Sequence, residues 1–176
     1  KFFNEKKKKQ FKKKKNYKIK KKYNLDKKNK IKEFFKKTSD ANFKIIQSYK
    51  VLKKLKFIEF PKLGFQELKK ISKKISKLKG CILLVDYGYI KPNNEDTLQS
   101  IMKHKKNILF NNLGKADITS HVNFALLDEF FSKNGLKVKN VVTQKQFLER
   151  MGILNRAEVL AKKMRFTEQS DLYLSI

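Results

Sequence analysis

Cysteine is nearly absent: Cys81 is the single one among 176 residues. One thiol excludes any disulfide framework within the chain and any cysteine-built zinc site. Its neighbours Ile82, Leu83 and Leu84 predict a small buried hydrophobe. Arginine is scarce too, since only Arg150, Arg156 and Arg165 stand among 45 basic residues. Arginine is the side chain that grips phosphate and guanine bidentately, so its scarcity argues against a dedicated nucleic-acid reader despite a formal charge of +29. No apolar run approaches the length of a membrane-spanning helix, and no apolar core follows the basic start as a secretory signal requires. GxSxG, P-loop, GxGxxG and cysteine–histidine nucleophile patterns are all missing. His104 and His121 match no metal-binding spacing, with or without Asp117.

What is present divides unevenly. Residues 1–80 carry 31 basic and 6 acidic side chains, whereas residues 81–176 carry 14 and 10. The lysine-rich stretch 4–32 is low in complexity, interrupted by Phe11, Tyr17 and Tyr23, and predicts a solvated insertion or hairpin. Lysine, phenylalanine, isoleucine and asparagine are products of A/T-rich codons, which explains much of the charge. Hydrophobic residues still make up 40% of the chain, enough for a packed core.

From Pro61 the periodicity sharpens. Phe65, Leu68, Ile71, Ile75 and Leu78 form the apolar stripe of a helix, with Gly80 in the place of a left-handed cap. The run Cys81–Val85, closed by Asp86, Tyr87 and Gly88, predicts a strand buried on both faces of a parallel sheet, opening into a ligand-binding loop at its carboxyl end. Phe124, Leu127, Phe130 and Phe131 mark a helix that ends at Gly135, and residues 136–142 predict a second strand. Thr143 and Gln146 have capping-box spacing for a helix stopped by Gly152, while Asn155 and Glu158 suggest a last helix at about 156–164. Alternating helices and strands spell an α/β fold.

Three positions invite chemistry. Asp86, ending a buried strand, either acts in a site or caps the next turn. His104, in TLQSIMKHKKN, is placed on a helix or its frayed end. In GKADITSHVNF, residues 114–124, strand alternation puts Asp117, Thr119, His121 and Asn123 on one face, with Ser120 breaking the opposite row. An Asp–His pair there could move a proton or satisfy a buried hydrogen-bond network.

An ordered set of motifs then resembles one family. It comprises Asp86-Tyr87-Gly88, Thr97-Leu98-Gln99, His104, the segment Gly114–Phe124, Thr143-Gln144, Phe147-Leu148 and Gly152-Ile153 with Arg156. Together with Ile58, Glu59 and Pro61 it is similar to the MidA-type class I S-adenosyl-L-methionine-dependent methyltransferases over about residues 57–160. Mitochondrial members of that family are arginine methyltransferases assisting assembly of respiratory complex I. The resemblance implies an incomplete Rossmann-like sheet, the carboxyl-terminal half of the enzyme. The family's glycine-rich cofactor loop, its acidic ribose-binding residue and its Asn-Glu-Phe-Phe-Asp-type motif would lie upstream, and its final strand beyond Ile176. S-adenosyl-L-methionine would therefore be bound mainly by the missing half, with no cofactor-binding residue and no metal ligand here.

On that resemblance Asp86, Asp117 and His121 are the catalytic candidates, and Tyr87, Gly88, His104, Thr119 and Gln144 the substrate-binding ones. Residues 1–56 would be a lysine-rich family-variable insertion, and 57–176 the methyltransferase part. The family's common Val-Asp-Phe is Val122-Asn123-Phe124 here, and its Pro-Gly is Leu113-Gly114. Expected partners are a protein substrate, a complex I subunit among the candidates, with neither membrane insertion nor nucleic acid. Location would be bacterial cytoplasm or mitochondrial matrix. A basic RNA- or ribosome-associated module is the alternative, and a catalytically dead pairing partner a third possibility.

Overall fold

The computed structural model of the chain describes residues 9–14, 17–25 and 31–176. The lysines at 6–8, with residues 15–16 and 26–30, lie outside the described residues, as do the side chains of Phe11 and Tyr17. Two compact units divide the chain, residues 1–138 and residues 139–176.

In the first unit the lysine-rich region becomes sheet. Strands β1 (Lys9–Lys14), β2 (Tyr17–Leu25), β3 (Ile31–Lys37) and β4 (Phe57–Phe60) form an antiparallel sheet in the order β3-β2-β1-β4. The register sets Gln10 opposite Glu59. Between β3 and β4 run α1 (Asp40–Gln47), capped by the Ser39 hydroxyl, and a 3₁₀ turn at Lys50–Leu52. Helix α2 (Lys62–Leu78) buries Phe65 and Leu68 of the expected stripe and half-buries Ile71 and Ile75, but Leu78 is 76% exposed. The helix's left-handed cap is Lys79, at φ 53°, one residue before Gly80. The amides of Lys79 and Gly80 still close the turn on Ser76 and Ile75.

Beyond α2 the expectation of a fully formed parallel strand over 81–88 fails. Only β5 (Gly88–Tyr89) pairs, in parallel with β9 (Val122–Asn123). Residues 81–86 are unladdered, Cys81 is exposed rather than buried, and Leu83 and Val85 are 66% and 71% exposed. The physical reason is that an apolar run becomes a buried strand only where neighbouring strands pair along it, and among the described residues β9 reaches only its end. Residues 136–142 likewise form no strand, although Leu136 and Val138 pack against the core.

A third sheet, β7-β6-β8, joins β6 (Gln99–Met102), β7 (Lys105–Asn107) and β8 (Asp117–Thr119). His104 is therefore on a hairpin, not a helix. Lys103 (φ 49°) and His104 (φ 61°) are the two central residues of its turn, the positive-φ pattern of a type I′ turn that normally takes Asn-Gly. A side chain in that region costs about 1–2 kcal/mol. The double change Lys103→Asn, His104→Gly is expected to stabilise the chain by about 1 kcal/mol, read as a higher urea midpoint at unchanged slope.

Helix α3 (Phe124–Lys133) closes the core. Ile46, Leu52, Ile58, Leu68 and Leu126 are each 1% exposed, and Tyr49, Phe60, Phe65, Phe130 and Phe131 form one aromatic cluster around them. Glu129 on α3 accepts the amides of Lys50 (2.8 Å) and Val51 (3.0 Å), capping the 3₁₀ turn from across the chain. Burial opposes its charge, yet those amides and Lys133 hold its carboxyl below the ordinary range.

The second unit is helical. Thr143 and Gln146 make the expected reciprocal cap on α4 (Gln144–Arg150). Helix α5 spans Ile153–Ala161 rather than 156–164, because Gly152, at φ 81°, starts it earlier. Helix α6 (Phe166–Leu174) was not legible in the pattern. Gln169 of α6 donates to the carbonyls of Ala161 and Met164, closing the end of α5.

Candidate functional site

The row Asp117, Thr119, His121 and Asn123 does not stay on one strand face. The chain leaves β8 after Thr119 and enters β9 at Val122, changing sheets. Ser120 and Val122 turn inward, 3% and 4% exposed, while Asp117 and His121 are exposed. The residue that broke the alternation is thus the pivot between sheets. Asn123 is the N-cap of α3, its side-chain oxygen accepting the Leu126 amide at 3.0 Å. Aspartate and asparagine cap helices about equally well, so the change from the family's common aspartate keeps this role.

Asp86 serves its own turn, its Oδ1 accepting the Tyr87 amide at 2.8 Å. Tyr87 projects outward, 78% exposed, and its carbonyl accepts the Val122 amide at 2.8 Å. Gly88 faces Val122 directly across the parallel pair.

The densest polar grouping centres on Glu59, which the sequence reading did not select. Glu59 is buried on β4, where Oε1 accepts from Gln10 Nε2 at 3.0 Å and Oε2 accepts the Thr97 hydroxyl. Thr97 Oγ1 in turn accepts the His121 amide at 3.0 Å. Gln10 Nε2 also donates to Asp96 (2.6 Å), and Lys21 bridges Asp96 (3.0 Å) and Glu33 (2.8 Å). Burial works against the Lys21 charge, but its bonds to Glu33 and Asp96 outweigh this and raise its pKa. Asn94 completes the clamp by accepting the amides of Lys56 and Phe57. The loop 94–97 is thereby tied to β4, and through Thr97 to the backbone of His121. A carboxylate inside Phe57-Ile58-Glu59-Phe60 was the available signal, because a charge in an apolar run needs partners.

Glu59, Tyr89, His121 and Asn123 line a small, partly open cavity of about 10 Å³, room for about one water. His121 also borders a wider open groove of about 420 Å³ with Asp96, Thr97, Gln99 and Lys106. His104, Asp117 and Thr119 line neither, and Gln144 belongs to the second unit. Among the described residues, no three His, Cys, Asp or Glu side chains are arranged to hold a metal ion. No helix among them is long and apolar enough to cross a membrane.

Burial pushes the Tyr89 phenol up to about 12, and the Glu59 charge adds to this against a hydrogen bond with Asn123. Tyr49 is likewise pushed up to about 12 by burial and Glu129. A raised phenol pKa means that the fold favours the neutral form. Its stabilisation is complete below the ordinary value of 10.0 and is lost as pH rises through about 12. Ultraviolet titration should show Tyr49 and Tyr89 among the late-ionising tyrosines, with Tyr89→Phe removing one of them.

Residues 5–142 match a family described as "Putative S-adenosyl-L-methionine-dependent methyltransferase". Proteins named "Protein arginine methyltransferase NDUFAF7, mitochondrial" are similar. The Xenopus tropicalis one is 31% identical over 96 residues, 54% of this chain and 22% of its own length. The Danio rerio one is 30% identical over 93 residues, 53% of this chain and 22% of its own. Among solved structures, a Burkholderia thailandensis protein with S-adenosyl-homocysteine bound aligns with a TM-score of 0.72 at 14% identity, covering 97% of this chain and 46% of that one. A second crystal structure from that organism gives 0.69 at 15%, covering 93% and 46%. The likeness establishes a shared mixed α/β fold. This chain matches about a fifth of the curated relatives' length and under half of the solved ones.

Proposed function

Because the chain belongs to the family of S-adenosyl-L-methionine-dependent methyltransferases, we propose that it is the carboxyl-terminal half of a Rossmann-like class I enzyme that methylates protein arginine. The observation that carries this reading is the β5–β9 junction, where a parallel pair ends beside Glu59, Tyr89 and His121. Carboxyl ends of parallel strands are where open α/β sheets bind their ligands. Residues 57–176 then belong to the methyltransferase fold, and residues 1–56 are a lysine-rich insertion.

The residues present do not fit the cofactor by themselves. The small cavity has room for about one water, and the open groove offers no glycine-rich backbone cradle. S-adenosyl-L-methionine is therefore assigned mainly to the part of the fold outside this chain, and what remains here is the substrate side. There the enzyme must hold a guanidinium in line and receive its proton. Asp86, Asp117 and His121 are proposed for that work, with Tyr87, Gly88, Thr119 and His104 as substrate contacts. Glu59 and Thr97 position the His121 backbone. The names of the amphibian and fish relatives support a protein substrate and a mitochondrial setting, and the motif resemblance extends this to respiratory complex I assembly. For a bacterial source the setting would be the cytoplasm.

Two measurements test the reading. Adding S-adenosyl-homocysteine to this chain alone should leave its melting temperature unchanged; a shift of several degrees would overturn the assignment of the cofactor elsewhere. In the full-length enzyme, Asp117→Ala or His121→Ala should lower methyl transfer to a peptide arginine about 100-fold with near-normal cofactor affinity. Unchanged turnover would remove both from the site.

A further inference from the structure

The strand end at Gly88 continues upstream into a segment whose exposure alternates with the period of a strand. Ile82, Leu84 and Asp86 are the less exposed positions, and Leu84 packs on the core. Leu83, Val85 and Tyr87 are 66%, 71% and 78% exposed. Among the described residues, no backbone hydrogen bond is made by residues 81–86. One edge of this segment is engaged only at its end, where Tyr87, Gly88 and Tyr89 meet Val122 and Asn123. The result is an apolar row and an unladdered backbone side by side, the two requirements of strand addition.

We propose that residues 81–87 are the docking edge for a β-strand of the amino-terminal half of a methyltransferase fold. That strand takes up the unpaired backbone, while apolar side chains of the same half cover Leu83, Val85 and Tyr87. The inference rests on the reading of this chain as one half of such an enzyme. Two observations select this occupant. The solved neighbours align with nearly all of this chain but are covered over only 46% of their own length, so more than half of each has no counterpart here. The Gly88–Tyr89 ladder is parallel, and parallel strands occur buried on both faces within larger sheets. A second copy of this chain is disfavoured by a formal charge of +29 on each.

The test mixes this chain with a separately expressed polypeptide, the portion of the Xenopus tropicalis relative that precedes its matched stretch. Amide hydrogen exchange of residues 81–87 and calorimetric titration with S-adenosyl-homocysteine are the readouts. Alone, these amides should exchange freely; in the mixture they should slow about 100-fold. The double variant Leu83→Asp, Val85→Asp should abolish the slowing while circular dichroism shows its helices intact, since both side chains are exposed. No slowing in the mixture overturns the proposal, as does slowing that survives the double variant. Slowing that grows with this chain's own concentration, without the second polypeptide, overturns it in favour of self-pairing. Protection of 81–87 without S-adenosyl-homocysteine binding supports the docking edge and counts against the methyltransferase reading. Binding without protection does the reverse.

Discussion

Phe65→Ala should cost about 4 kcal/mol, the largest loss from any single side chain of the core. Phe65 is the hub of the aromatic cluster, stacked on Phe130 at 4.2 Å between ring centroids, edge-to-face with Phe60 (5.4 Å) and tilted against Tyr49 (5.9 Å). These rings come from α2, α3, β4 and the turn after α1, so truncation opens a void that four elements cannot close together. Helix α2 would lose its main anchor beside Leu68, and the cavity lined by Glu59 and Tyr89 would lose a wall. Urea unfolding is the check. Phe65→Leu should recover more than half of the loss, because it refills much of the volume. A cost under about 1 kcal/mol for alanine would mean that the cluster does not organise the unit.

Gly88→Ala should cost about 3 kcal/mol and lower the melting temperature by about 10 °C. A Cβ at this position would sit 2.2 Å from the Val122 carbonyl oxygen and 2.6 Å from Cε2 of Phe124. The ring can move, but the carbonyl belongs to the strand paired with Gly88, so relief requires separating β5 from β9. Separation would displace Asn123 from the start of α3 and Tyr89 from the cavity. The glycine is needed for close approach rather than for an unusual φ. Because the clash is steric, alanine and serine should be similarly harmful. In the alanine variant the late-titrating Tyr89 should also return toward the ordinary phenol range. A melting temperature within 2 °C of the parent would show that the two strands do not approach this closely.

Much of the helical layer was legible because its determinants are local. The stripe Phe65–Leu78, the aromatic face of α3, the Thr143–Gln146 cap and the stops at Gly135 and Gly152 depend on residues within a few positions of one another. Even the misses there were small, Lys79 taking the cap expected of Gly80 and α5 starting at Ile153.

Sheet structure was legible only as potential. Residues 81–88 read as a strand because they are apolar, yet a strand exists only when another pairs with it, and only Gly88 and Tyr89 find a partner here. The lysine-rich amino-terminal region, read as a solvated insertion or hairpin, forms three strands, β1 paired with β2 and held against β4 in a register set by the sheet. The motif Gly114–Phe124 shows polar alternation as a sequence. Tertiary structure split it at Ser120, exposed His121 and gave Asn123 to a helix. The Glu59 network spans Gln10 to Asp96, 86 positions apart, and no local pattern encodes that distance.

By itself, then, the sequence determined the place of α2, α3 and α4 and which ordered motifs tie the chain to its family, because caps and periodicity act through neighbours in the chain. Tertiary structure alone decided strand pairing, the burial of Glu59 and the exposure of the 81–87 row. Backbone ladders and buried charges are satisfied only by partners far away in sequence.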